Sequence, residues 1–384
     1  MNHPQTDMKL IPFNDKWSTI PEIINRVAIH GVCTPEEIER AIHPQNGNDY
    51  LLRIRAMFIS DNVRLYQCML HLVHMFGENW SLERFFSSDA YDVFKMSISE
   101  SNYQKCKDVI CGSIYDNNAN GLIFESPFGV LSTFSITLNY FCRYANLALG
   151  AFQQEVPNYI RLNAMRIACR VMLRSEPDDF IADPRGKIPQ AIQDTQINNW
   201  KYISEFLAGH ELSHFILGHI KEQDKIEMGF LKPHFKDDTD YRKINGYRIN
   251  QLQEFEADLA ALNLVELPEN VYIRYYDAAL SWFAMLSVYE AVEDSISPPI
   301  GSNQTHPGAI ARYEKILNEA RRPKYFNEKH YVETLPHLID YWREVMKDDV
   351  SLYFDKYEDK EHSVYLDAPN TEWRGRELID RVDY

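Results

Sequence analysis

Residues 210–214 read His-Glu-Leu-Ser-His. On an α-helix, residues four apart lie one turn up on the same face, about 6 Å along the axis. His210 and His214 can then reach one metal ion with the ~2.0–2.1 Å bonds of zinc to imidazole nitrogen. Glu211 sits roughly 100° round the helix, where it can reach a metal-held water without ligating the metal. A water-activating general base requires that position. With 13 histidines in 384 residues, chance supplies the pattern in only about 0.03 chains of this composition. Apolar Ile203, Phe206 and Leu207 lie one or two turns earlier, and burying two histidines and a glutamate beside them is costly without a partner.

A catalytic zinc takes three protein ligands and keeps one open position. The segment Glu254-Phe255-Glu256-Ala257-Asp258 supplies the third. Glu254 and Asp258 are four apart and share a helix face, while Glu256 points elsewhere. Glu254 can ligate, and Asp258, one turn on, can accept the distal N–H of a zinc-bound histidine and so orient it. His234, in the loop Lys-Pro-His-Phe-Lys-Asp-Asp, is the rival third ligand. His219, five residues past His214 and about 140° round a regular helix, cannot join the site and is expected to be structural. The extended three-histidine pattern of the metzincins fails, because its glycine and third histidine would fall on Leu217 and Ile220.

Helices must carry these groups. Asn198 to Glu222 reads as one long helix, and a polar loop, 223–248, separates it from the helix holding Gln253 to Val265. A helix from about Val271 to Val292 follows, closed by a proline-rich stretch, and the next begins near Pro307. The N-terminal half is mainly helical: Thr34-Pro35-Glu36-Glu37 is a capping box with proline at the first helical position. Asn120-Gly121 and Ser126-Pro127 flank β-rich segments that predict a hairpin or small sheet. Segment 175–190 is acidic, carries three prolines and one glycine, and is the best domain junction.

Charge and composition narrow the class. Hydrophobic residues make up 45% and aromatics 13%, enough to bury a sizeable core and to exclude wholesale disorder. A net charge of −16 argues against a nucleic-acid binder, whose affinity rests on basic patches. No stretch reaches the ~20 apolar residues of a membrane span, and residues 1–15 show no secretory signal. Six cysteines, all within the first 169 residues and without CxxC spacing, read as reduced thiols of a cytoplasmic protein. Three parts are expected. Residues 1–190 form a mainly helical domain that gates the site or recognises substrate; 191–325 form the catalytic core. Residues 326–384, with 15 acidic and 8 basic residues, form a solvated helical appendage.

Gly-His-Glu-Leu-Ser-His-Phe-Ile-Leu-Gly-His at 209–219, followed by Glu254-Phe255-Glu256-Ala257-Asp258, resembles the gluzincin zinc metallopeptidases, most of all the M48 type. Thr305-His306-Pro307, with Arg312 six residues after His306, is similar to the HP…R element of that family. The three elements span residues 196–322, about a third of the chain. The resemblance implies an α+β fold with a mostly helical zincin-like core and a small β-sheet, whose edge strand can hold an extended peptide. It implies that His306 stabilises the oxyanion and that Arg312 pairs with a site carboxylate such as Asp258. The Glu254–Asp258 segment also resembles the repressor-cleaving proteases of the ImmA/IrrE kind, and the bare HExxH is shared with phage-exclusion peptidases of the Lit type.

These readings converge on a zinc-dependent endopeptidase acting on a protein or peptide substrate in a regulatory, stress or defence setting. His210, His214 and Glu254 would hold Zn2+, with Glu211 as general base. The alternative from another class is a non-catalytic protein, regulatory or partner-binding, that zinc merely stabilises. Structural zinc sites are usually closed by four ligands including cysteine, and no cysteine follows Cys169.

Overall fold

Thr34 opens the first labelled helix, α1 (Pro35–Ile42), with the expected capping box. Its hydroxyl accepts the Glu37 amide at 3.3 Å, and the Glu37 carboxylate accepts the Thr34 amide at 2.9 Å. The structure is a computed structural model that describes residues 28–116, 119–152, 155–176, 179–228, 244–296, 306–349, 352, 372–373, 376–377 and 380–383. Helices α2 (Gly47–Asp61), α3 (Val63–Phe76), α4 (Leu82–Phe85), α5 (Asp89–Ser97) and α6 (Glu100–Cys106) follow. Then come β1 (Ile110–Ile114), β2 (Gly121–Ser126) and β3 (Gly129–Ser135). Helices α7 (Thr137–Leu149) and α8 (Asn158–Met172) lead to α9 (Gln190–Ile216), whose 27 residues span about 40 Å.

The sheet is mixed, in the order β1-β3-β2-β5-β4, where β4 is Lys225–Met228 and β5 is Ile244–Tyr247. The fold is therefore α+β, mostly helical with a small five-stranded sheet. β2 and β3 form the expected hairpin across Pro127-Phe128, with Leu122 opposite Thr133. β1 runs parallel to β3. β4 and β5 come from the two ends of what reads in the sequence as a polar loop, and both are only four residues long. β5 even contains an Asn-Gly pair, a turn signal that sheet pairing overrides. Among the described residues β2 pairs with β5 at one position, Glu125 opposite Asn245. Toward Gly121 no further described pair joins the two strands, and residues of both line one cavity, the gap between them.

Three further helices complete the core: α10 (Gln251–Asn263), α11 (Glu269–Ile296) and α12 (Ala309–Glu319), with α13 (Leu335–Lys347) behind them. α9 passes through the middle, so its buried residues lie all round it and no amphipathic stripe marks it. Phe206 of α9 sits edge-on to Tyr275 and Phe283 of α11, and Phe141 of α7 sits edge-on to Trp282.

One buried cluster runs from Tyr91 to Val382, so residues on both sides of position 190 share a core. In the C-terminal part, helix α13 is packed into the core and is not solvated as the charge of that part suggests. Leu335, Ile339, Trp342 and Met346 of α13 are buried in that cluster, on an apolar face that net charge does not reveal. Segment 175–190, expected as a junction, is tied down by buried charges among its described residues. Arg170 donates to Glu176 and Asp380 at 2.8 Å each, and Arg185 donates to Glu176 at 2.7 Å and also to Asp179. Buried ions this close must stay paired, so the segment is a fixed buttress. Among the described residues no helix is long and apolar enough to cross a membrane, and all six cysteines are free.

Candidate metal centre

α9 delivers His210, Glu211 and His214, and α10, packed against it, delivers Glu254 and Asp258. α10 starts at a capping box between Asn250 and Gln253, which fixes Glu254 in the first turn. The ligand atoms of His210, His214 and Glu254 lie within 4.8 Å of one another, and all three residues are buried. The two Nε2 atoms are 3.2 Å apart. Glu254 places Oε2 3.4 Å from His210 Nε2 and Oε1 3.7 Å from His214 Nε2. His234, the rival ligand, lies outside the described residues.

The outer groups settle the tautomer of each ligand. His210 Nδ1 is 2.8 Å from Asp258 Oδ1, so it carries a proton and leaves Nε2 as the nitrogen available to a metal. Arg312 braces that carboxylate from behind, with Nε 2.7 Å from Oδ2 and Nη2 2.6 Å from Oδ1. Its guanidinium also lies 4.6 Å over the Phe283 ring. Helix α12, which carries Arg312, is anchored in turn by Glu290 of α11, whose carboxylate accepts the Ala309 amide. His306 stands just before that helix, half-exposed, with Nδ1 3.1 Å from Glu254 Oε2. The residue also lines the cavity.

His219 is not where a helical wheel places it. α9 ends at Ile216 because Gly218 takes φ +72°, the left-handed conformation glycine accepts without strain. The Gly218 amide donates to Phe215 O and the His219 amide to His214 O, the pair of bonds that closes a Schellman motif. The chain reverses and His219 Nδ1 comes to 3.0 Å from His214 Nδ1. The other nitrogen of His219 is 3.1 Å from Glu256 Oε2. The signal that the wheel ignores is Gly218, which marks the end of the helix to which the 140° spacing applies.

Two imidazole nitrogens and a carboxylate thus converge on one point. Glu254 Oε2 is buried without a well-directed hydrogen bond, although it has neighbours within 3.5 Å. Such a set calls for a cation. The site's electrostatics agree. Burial would depress His210, yet Asp258 and Glu254 raise it to about 10. Burial and the neighbouring His210 hold His214 well below the ordinary imidazole range. Burial opposes ionisation of Glu254, but His210, His306 and Arg312 outweigh it and keep the carboxyl well below its usual range. The cluster accommodates one central positive charge, and a divalent ion on His210, His214 and Glu254 fits the donor chemistry of zinc.

The cluster opens onto a cavity of about 1070 Å³. The walls are Gly121 to Ile123 of β2, Gly246 to Ile249 at the end of β5, and Phe206, Leu207, Trp282 and Leu286 from the helices. Described residues of 175–190 do not line it. Glu211 stands on the wall beside His210, where burial raises its carboxyl to about 7, opposed by His210 and reinforced by Glu254. Glycine at 121 makes room for it: a Cβ there would overlap Glu211 Oε1 and lie 2.9 Å from its carboxyl carbon. The strand register adds a second feature. Asn120 O accepts the Ser135 amide, and alternation along an antiparallel pair turns the main-chain groups of Gly121 and Ile123 away from β3, into the gap. The edges of the sheet are β1 and β4, so the gap beside the site lies inside the sheet and not at its rim. In comparisons with known proteins, no family model matches the chain, and no curated protein and no solved structure shows significant similarity to it.

Proposed function

We propose that the chain is a zinc-dependent endopeptidase of the gluzincin type, built on a zincin-like core. One observation carries the reading: three buried ligand side chains converge beside Glu211 at the wall of a large cavity that strand β2 also lines. A non-catalytic zinc site would be closed by a fourth protein ligand; among the described residues none joins the three, and they line a cavity.

His210, His214 and Glu254 would hold the ion, which when bound supplies Lewis acidity toward the scissile carbonyl and acidifies water. An extended segment of a protein substrate would lie in the gap and pair with Gly121 and Ile123 of β2 by strand addition. Its apolar side chains would find Leu207, Trp282 and Leu286. Glu211 takes one proton from the attacking water as the oxygen bonds to the carbonyl carbon. It then passes that proton to the leaving nitrogen as the C–N bond breaks, so the carboxylate ends as it began. His306 would offer Nε2 to the developing oxyanion, while Arg312 acts at a distance, holding Asp258 and through it His210.

The test is metal-dependent hydrolysis. Purified chain should carry about one zinc, cleave unfolded casein, lose that activity to a chelator and regain it with zinc. His210→Ala, His214→Ala and Glu254→Ala should each lose the ion. Casein cleavage that persists in chelator, or zinc retained by Glu254→Ala, would overturn the assignment.

The close approach at position 121 gives a second expected result. Gly121→Ala should move the Glu211 carboxylate, because side-chain atoms at the far end of a flexible chain yield before backbone does. Displacing a reacting group by about 1 Å costs up to ~100-fold in rate. Zinc content and melting temperature should stay near wild type. A fully active Gly121→Ala protein would show that Glu211 does not work from this position.

A further inference from the structure

The sequence motif assigns no task to His219 or Glu256, yet the structure joins them to the metal cluster. We propose that Glu256, His219 and His214 form a hydrogen-bonded relay that fixes the tautomer and orientation of His214, making His219 and Glu256 positioning residues for the metal. The proposal rests on reading His210, His214 and Glu254 as a metal site.

The chemistry of the chain of contacts allows one consistent arrangement. His214 faces the other ligands through Nε2, 3.2 Å from His210 Nε2; as a metal ligand it must keep Nε2 as a lone pair, so Nδ1 carries hydrogen. That hydrogen meets His219 Nδ1 at 3.0 Å, which must therefore accept. A neutral His219 that accepts at Nδ1 carries its proton on Nε2. Nε2 is 3.1 Å from Glu256 Oε2, a carboxylate, which can only accept when ionised. With a metal on the two Nε2 atoms each donor meets an acceptor from one end to the other, whereas the reverse assignment sets a His219 lone pair against the Glu256 carboxylate.

The backbone makes the contact inherent in the sequence. In a Schellman motif the third residue before the cap and the second residue beyond it bring their side chains together. With Leu217 as the cap, these are His214 and His219. The contact is usually between apolar residues; here both are imidazoles. His219 is buried, so its polar atoms need these partners, whereas the Glu256 side chain is 50% exposed. The two histidine ligands thus have separate supports: His210 leans on a buried Asp258–Arg312 pair, and His214 on a relay ending at the surface. Groups that orient a metal-bound histidine typically contribute 10–100-fold in affinity.

The experiment measures zinc affinity of the full chain by competition with a chromophoric chelator, and the visible spectrum of the cobalt-substituted protein. His219→Ala should weaken zinc about 10–100-fold and alter the cobalt spectrum. His219→Gln should restore most of the affinity, since the amide oxygen can accept from His214 and the NH2 can donate to Glu256. Glu256→Lys should weaken zinc as His219→Ala does. An ammonium only donates, so it turns the His219 tautomer round and sets N–H against N–H at His214. This variant changes an exposed side chain, so it carries the test even if His219→Ala misfolds. Wild-type affinity in Glu256→Lys and in folded His219→Ala would overturn the relay while leaving the metal site standing. A wild-type chain that binds no zinc would overturn both. Long-range nitrogen NMR of the zinc-loaded protein should show hydrogen on Nδ1 of His214 and Nε2 of His219; the reverse at either ring refutes the arrangement.

Discussion

Glu211→Gln should keep its zinc and its fold and lose hydrolysis by about 100- to 10,000-fold, the range that general acid–base catalysis contributes. The substitution is nearly isosteric. It removes a carboxylate that can hold a proton and leaves an amide that cannot. Glu211 lies on the wall beside the converging ligand atoms without being one of them, so the ion should stay. Room for the side chain is already made by Gly121, so packing is preserved. Zinc content, melting temperature and casein cleavage, measured on one preparation, separate the outcomes. Undiminished cleavage with zinc in place would sink the enzyme reading and promote a zinc-stabilised binding protein. Loss of zinc together with activity would mean that Glu211 belongs to the ligand set and that the base must be sought elsewhere.

The centre of this site is legible in the chain because its spacing is local. His210, Glu211 and His214 lie within one turn of helix, as do Glu254 and Asp258, and helical periodicity alone puts each set on one face. Arg312 and His306 follow from the resemblance of motifs, and the structure brings both to Glu254, with Arg312 on Asp258 as expected. What periodicity does not supply is the point at which the period stops. Extending α9 to Glu222 sends His219 to the far side; ending it at Ile216 with a left-handed Gly218 brings it to His214. The sheet shows the same limit. β2 and β3 are long enough to announce themselves, whereas β4 and β5 are four residues each and become strands only through one another and through Glu125. The acidic C-terminal part misleads because charge is counted per residue, while burial is decided per face.

Arg312→Met should destabilise the zinc-free protein by about 3–5 kcal/mol, the cost of removing one partner from a buried ion pair. Arg312 and Asp258 are both buried, and the guanidinium holds Asp258 through both carboxylate oxygens. Methionine would fill much of the space over Phe283 but leave Asp258 and Glu254 as neighbouring buried acids with only His210 between them. Lysine is no substitute: a single ammonium cannot bridge both oxygens in plane and lie flat over the ring. Zinc changes the balance, because an ion bound only by the folded state adds RT ln(1 + [L]/Kd) to stability and returns positive charge to the same spot. Zinc should therefore recover part of the loss in Arg312→Met, although its affinity falls because Asp258 no longer holds His210 firmly. A double change, Arg312→Met with Asp258→Leu, distinguishes stability from orientation. Replacing both partners by apolar groups should restore most of the folding free energy but not the zinc affinity, since His210 Nδ1 then has no acceptor. Urea unfolding of wild type and the two variants, with and without zinc, reads both quantities. Arg312→Met within 1 kcal/mol of wild type, or a double variant with normal zinc affinity, would show that the Asp258–Arg312 pair does not support the centre.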